Sequence, residues 1–299
     1  MSNRAISMAA ARSWREYLEL CKPRVVMLLV FTAVVGMFLA APGWVPWQAL
    51  IFGSIGIGLG AASGAAINHI VDQRADSLML RTRRRPLPAG RMDQASALIF
   101  AAFLCALSML LLVTLVNTLT AVLTLAAMVG YSVVYTVFLK RATPQNIVIG
   151  GAAGAMPPVL GWTAVTGTLD PQSWLLFLII FAWTPPHFWA LAIHRCGDYA
   201  RANVPMLPVT HGIEYTRLQI LLYTVLLVGV SLLPYVTHMS GPLYLIAALI
   251  LGGVFLYYAI SLYRGRDDGL PMRTFIYSIY YLMALFSALL VDHYLLLLW

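Results

Sequence analysis

Apolar residues in this chain come in long unbroken runs, not in alternation with polar ones. From "VVMLLVFTAVVGMFLA" near the start to "FSALLVDHYLLLLW" at the end, hydrophobic stretches recur between short polar gaps. About twenty apolar residues are enough for a helix to cross a bilayer. The pattern predicts nine spans, at 25–41, 48–71, 95–115, 118–139, 146–165, 173–194, 217–238, 242–262 and 274–296. Lipid leaves the backbone only helices or closed barrels. A barrel strand alternates apolar and polar positions, which these runs do not. The expected fold is therefore all-α, a polytopic bundle forming one integral-membrane domain over 1–299.

Composition agrees. The chain is 61% hydrophobic and 10% charged, with mean hydropathy +0.83, where a soluble domain is nearer a quarter charged. Residues 1–24 are basic and weakly amphipathic. They lack the apolar core of a signal peptide, and they run into the first span too directly for an Arg-rich transit peptide. Cys21, Cys105 and Cys196 show no metal or disulfide spacing.

The charges then orient the bundle. Lys and Arg fall before the first span and in the second, fourth, sixth and eighth gaps, and these hold all 19 basic residues. The other gaps, such as "APGWVPW" and "VTGTLDPQ", hold none. The positive-inside rule makes the basic side cytoplasmic, which puts the N-terminus inside and the C-terminus outside. The net charge of +8 reports this topology and an anionic ligand, not nucleic acid.

One stretch on that side concentrates chemistry: "NHIVDQRADSLMLRTRRRPLPAG", residues 68–90. Asn68, Asp72 and Asp76 are spaced i, i+4, i+8 and share a face if the second helix continues past the membrane surface. The same face carries Gly64, Gly60 and Gly56, a small-residue stripe suited to close helix packing. Carboxylates one turn apart beside an amide oxygen suit Mg²⁺, and the arginines that follow suit phosphate oxygens. This is the composition of a Mg²⁺–diphosphate site. The plainer alternative pairs the aspartates with the arginines and leaves the rest to fix topology.

Three further places stand out. "IHRCGDYARANVPMLPV" repeats the arrangement more weakly after the sixth span, with His194 and Asp198 four apart and Ala202 where a second acid would fall. Asn146, Gly150, Gly154 and Pro158 form another i+4 stripe in the fifth span, where Pro157–Pro158 should kink the helix. That stripe serves either a bulky ligand or tight packing. His187 follows Pro185–Pro186 in the sixth span and is expected toward its non-cytoplasmic half. It is either an axial haem ligand or a partner for backbone freed by the prolines.

At these residues the chain resembles the UbiA superfamily of intramembrane prenyltransferases, and within it the protoheme IX farnesyltransferase (haem O synthase) family. The resemblance covers nearly the whole chain. It rests on "KPRV" at 22–25, the stretch from Asn68, "YTVFLKRATPQNIVIGGAAGAMPPVLGWTAVTG" at 135–167 and "WTPPHFWALAIHRCGDYARANVPMLPV" at 183–209. It implies a UbiA-type bundle around a lipid-accessible cavity in a bacterial inner membrane. The implied reaction joins farnesyl diphosphate to a vinyl group of haem B with water, giving haem O for terminal oxidases. Mg²⁺ would be the cofactor, and haem A synthase or oxidase assembly proteins the neighbours. On this reading Asn68, Asp72, Asp76 and Asp198 hold the metal, Arg81, Arg85, Lys140, Lys22 and Arg24 take the diphosphate charge, and His187 contacts the haem. Many superfamily members carry two acids in the second half-site, and this chain has only Asp198.

Other classes fit less well. A superfamily member using an aromatic acid or chlorophyllide would share the first motif but not "TPPHFWALAI" and "PMLPV". A secondary transporter would place its charges near the midplane. A CDP-alcohol phosphotransferase needs an Asp-Gly-x-x-Ala-Arg motif, which is absent.

Overall fold

The computed structural model describes residues 14–265 and 267–297. Among the described residues, nine helices are long and apolar enough to cross a membrane. They are α1 (Pro23–Ala40), α2 (Ala49–Leu78), α3 (Gln94–Leu115), α4 (Thr118–Ala142), α5 (Asn146–Thr166), α6 (Pro171–His194), α7 (Gly212–Val236), α8 (Pro242–Tyr263) and α9 (Leu270–Leu297). All nine match the predicted spans to within a few residues at most ends. The main departure is useful: α2 runs on to Leu78, past the predicted end at 71. That extension puts Asn68, Asp72 and Asp76 on one continuous helix.

The sequence marks the helix starts clearly. Prolines open α1, α6 and α8 at Pro23, Pro171 and Pro242, where the missing N–H costs nothing. Asp93 caps α3 by accepting from the Ser96 N–H at 3.1 Å, and Asn117 caps α4 by accepting from the Thr120 N–H at 2.8 Å. Pro157 and Pro158 divide α5 into Asn146–Ala155 and Pro157–Thr166 around Met156. By contrast, Pro185 and Pro186 lie inside α6 without ending it.

Burial separates inner from outer helices. In α5 and α6, 61% of the apolar window is buried, against 17% in α4. Helix association in lipid relies on close packing and inter-helix hydrogen bonds, and both are present. α2 seats against α3 and α4 through its glycine stripe. A Cβ at Gly56 would meet Leu112 at 2.6 Å, and one at Gly60 would meet Thr124 at 2.7 Å. Ser63 donates to the Ala101 carbonyl at 2.8 Å, and Ser108 donates to the Gly56 carbonyl at 2.6 Å. α1 crosses the second half of α5 at Gly36 and Gly161, whose added Cβ atoms would strike the Pro158 and Ala33 backbones. An aromatic core of Trp183, Tyr244, Phe255, Tyr281 and Phe286 joins α6, α8 and α9.

Candidate active site

The basic ends of the helices meet at one end of the bundle, and the i, i+4, i+8 spacing on α2 supplies the centre. Asn68, Asp72 and Asp76 are each no more than 4% exposed. The carboxylates are sealed by neighbouring helices and by the loop after α2.

Each acid is met by a base from another element. The Asn68 amide donates to Asp72 Oδ2 at 2.9 Å and to Thr136 Oγ1 at 3.2 Å. Lys22, ahead of α1, donates to Asn68 Oδ1 at 2.5 Å. Lys140, at the end of α4, pairs with Asp72 Oδ2. Arg85 reaches back from the loop to Asp76 Oδ2 at 2.7 Å, and Thr82 donates to the Asp76 carbonyl at 3.0 Å. Aspartate–base pairing is thus realised, but it does not use up the acids. Asp72 Oδ1 is buried and has no hydrogen-bond partner. A sealed, unpaired carboxylate oxygen is costly, and it is a hard donor of the kind Mg²⁺ takes. Among the described residues, no three of His, Cys, Asp and Glu come together as a ready metal cluster. A metal would be held by one or two of these acids plus ligand oxygens.

Lys22 is unusual in two ways. Its backbone lies in the left-handed region at φ 49°, rare for a side chain other than Gly, Asn or Asp. Such strain persists only where the surroundings hold it. Burial, with Arg85 nearby, pushes its ammonium down to about 8. It also lies 3.4 Å from the Tyr131 hydroxyl.

Tyr131 was not singled out by the sequence. It lies where α4 widens into a π-helical stretch, Gly130–Leu139. Thr136 donates to the Tyr131 carbonyl five residues back at 2.8 Å, and Tyr131 stacks with Tyr135 at 5.8 Å. Such wide turns recur at functional sites. The only signal in the sequence was a glycine, Gly130, before a run of aromatic and hydroxyl residues.

Beside this charged cluster opens an apolar cavity between α1, α2, α4 and α5. Lys22 and Tyr131 stand among its lining residues, while Val26, Leu29, Ile57 and Met128 supply apolar wall. The fifth-span stripe packs at one position and opens at another. Gly150 packs against the Tyr135 ring, whereas a Cβ at Gly154 would meet nothing within 4 Å, and Gly154 and Pro157 line the cavity.

The second half-site is poorer. Asp198 sits on a short helix, Cys196–Arg201, after α6 and is 8% exposed. It pairs with Arg201, three residues on. His194 is exposed and takes no part. Tyr199 links the half-sites: its buried phenol is raised by burial and lies in the field of Arg81, Asp198, Arg195 and Arg85. Arg24 is exposed on the first turn of α1 and enters no ion pair among the described residues.

His187 lies nearer the charged end of α6 than expected, seven residues before its end at His194. Its Nδ1 contacts Ser278 Oγ on α9 at 2.6 Å, not backbone freed by the prolines. Trp183 stacks on it at 4.1 Å and Phe275 at 4.6 Å.

Acids and bases at one end of an apolar, lipid-facing helical cavity define a class. The chain belongs to the UbiA prenyltransferase family, whose match spans residues 29–289. It is 61% identical to the protoheme IX farnesyltransferase of Nitrosococcus oceani, over 99% of both chains. It is 63% identical to that of Marinobacter nauticus, over 96% of this chain and 95% of the other. Among solved structures, a digeranylgeranylglyceryl phosphate synthase superposes with TM-score 0.78 at 20% identity, covering 94% of this chain and 99% of the other. A UbiA homologue from Aeropyrum pernix gives 0.73 at 19%, covering 90% and 98%. One from Archaeoglobus fulgidus, bound to DMAPP and Mg²⁺, gives 0.61 at 19%, covering 92% and 99%. These last three share the fold.

Proposed function

We propose that this chain transfers the farnesyl group of farnesyl diphosphate to a vinyl group of haem B, with addition of water, giving haem O, diphosphate and a proton. One observation carries the reading: an apolar cavity ends at Lys22 and Tyr131, beside a sealed carboxylate with an unpaired oxygen and bases converging from α1, α4 and the loop after α2. The haem acceptor comes from the near full-length relatives named protoheme IX farnesyltransferase.

Asp72 and Asp76, with Asn68 Oδ1, would hold Mg²⁺ together with diphosphate oxygens, and Asp198 would offer an oxygen to the same diphosphate–metal complex from the second half-site. Bound there, the metal neutralises charge that develops on the leaving group. Lys22, Lys140 and Arg85 take the rest of that charge, positioned in advance in a low-dielectric pocket, and Arg81, exposed on the loop after α2, adds its charge from outside. As the C1–O bond breaks, its electron pair leaves with the diphosphate toward these cations. The vinyl π pair forms the new C–C bond, and water then adds at the carbon next to the porphyrin and loses its proton. Gly154, Ile57, Leu29 and Met128 exclude water from the allylic cation. His187 contacts the haem and orients it from α6.

The basic end faces the cytoplasm of a bacterial inner membrane, with the N-terminus on that side and the C-terminus in the periplasm, where haem A synthase or oxidase assembly proteins could collect the product. Haem extraction from cells overexpressing the chain tests the reaction. A more hydrophobic haem, heavier than haem B by one farnesyl group and one water, is the expected product; unchanged haem B would sink the reading. A C-terminal alkaline phosphatase fusion should be active, and an inactive one would reverse the orientation.

A further inference from the structure

The contact between α6 and α9 contains more than an inter-helix lock. Ser278 is completely buried and is engaged three times. Its hydroxyl donates to the Phe275 carbonyl at 2.6 Å. Its carbonyl accepts from the Trp183 indole N–H at 2.7 Å. Its Oγ lies 2.6 Å from His187 Nδ1.

A serine hydroxyl has one proton. If it pointed at His187, Ser278 Oγ and the Phe275 carbonyl would face each other at 2.6 Å with no hydrogen between them. With the proton on the Phe275 carbonyl, both short contacts are satisfied only when His187 Nδ1 carries a hydrogen and donates it to Ser278. A neutral imidazole protonated at Nδ1 is unprotonated at Nε2. Trp183 and Phe275 cover the two faces of the ring at interplanar angles of 18° and 29°. His187 is nonetheless partly exposed, and with Nδ1 and both faces engaged the Nε2 edge is the one without a partner.

We infer that Ser278 is a positioning residue for the acceptor: it fixes His187 in the Nδ1–H form and so presents the Nε2 lone pair to the haem iron. The inference rests on the reading of His187 as a haem contact. A histidine that binds iron through one nitrogen is ordinarily oriented and made more basic by a hydrogen bond from the other. Trp183 extends the arrangement, because its indole N–H anchors the Ser278 backbone while its ring stacks on His187.

Purified Ser278→Ala, Ser278→Thr and His187→Ala proteins test it, with haem B titrated by its Soret band and the ferrous iron–histidine stretch recorded by resonance Raman. Removing a partner of this kind costs about 10–100-fold in metal affinity. Ser278→Ala should therefore weaken haem binding by about that factor and lower the stretching frequency, with farnesyl diphosphate binding unchanged as the sign of intact folding. Ser278→Thr keeps the acceptor oxygen and should restore both. Equal losses in the Ala and Thr variants would mean that packing at 278 holds the haem, and would overturn the inference. So would a Ser278→Ala spectrum and affinity matching the native protein while His187→Ala loses the iron–histidine band. If His187→Ala keeps that band, the iron is not bound by His187 and the underlying reading fails instead.

Discussion

The two half-sites at the basic end look alike in sequence and differ in physics. In the first, three polar side chains on one helix face are buried, and bases from three other elements converge on them. In the second, Asp198 is satisfied by Arg201 three residues along the same short helix, and that arginine is 53% exposed. A local pair whose arginine reaches solvent contributes little and is readily exchanged. Charges buried from different helices are costly to desolvate and expensive to break singly. The contrast teaches that two similar acidic motifs diverge when the fold seals one of them and leaves an oxygen over, as at Asp72 Oδ1, the donor proposed here for Mg²⁺.

The largest test of that contrast is Asp72→Asn. It removes the unpaired oxygen's charge and the partner of Lys140, and should lower turnover on the order of 10³-fold, measured as haem O formed by the purified enzyme. Asp198→Asn should cost far less, roughly tenfold. Equal losses in the two variants would erase the distinction between the half-sites.

Lys22 sharpens the comparison through pH. Its proton is held less tightly than an ordinary lysine's, near 8, and the charged form is the one that binds diphosphate. The sign is therefore a loss of kcat/KM for farnesyl diphosphate as pH rises through about 8, since that ratio reports the free enzyme. Lys22→Arg should move the decline to higher pH. A native profile that stays flat to pH 9 would remove Lys22 from the diphosphate set. Arg24→Ala should have the smallest effect, less than about twofold, because Arg24 is exposed and outside the network. A larger loss would show that the ligand draws Arg24 in.

Much of this was legible before any coordinates. Runs of apolar residues placed nine helices, because the bilayer sets their length. Helix periodicity placed Asn68, Asp72 and Asp76 on one face. Proline and glycine chemistry announced the break in α5. The depth of His187 was misjudged although the span was not: α6 ends at His194 as predicted, and His187, seven residues before that end, lies in the half nearer the charged end. Tyr131 and Tyr199 were not singled out because their placement depends on a π-helical stretch and on the short helix after α6, neither of which leaves a periodic trace.

Residue order thus determined the number of helices, their alternating direction and the end that collects charge, since each follows from local hydrophobicity and backbone geometry. Only the tertiary structure decided which base meets which acid, which carboxylate oxygen stays unpaired and which serine meets His187. Asp72 and Lys140 lie on different helices, as do His187 and Ser278, and such pairs form only when helix crossings, set by glycine seams and side-chain volume, bring distant positions within hydrogen-bond reach.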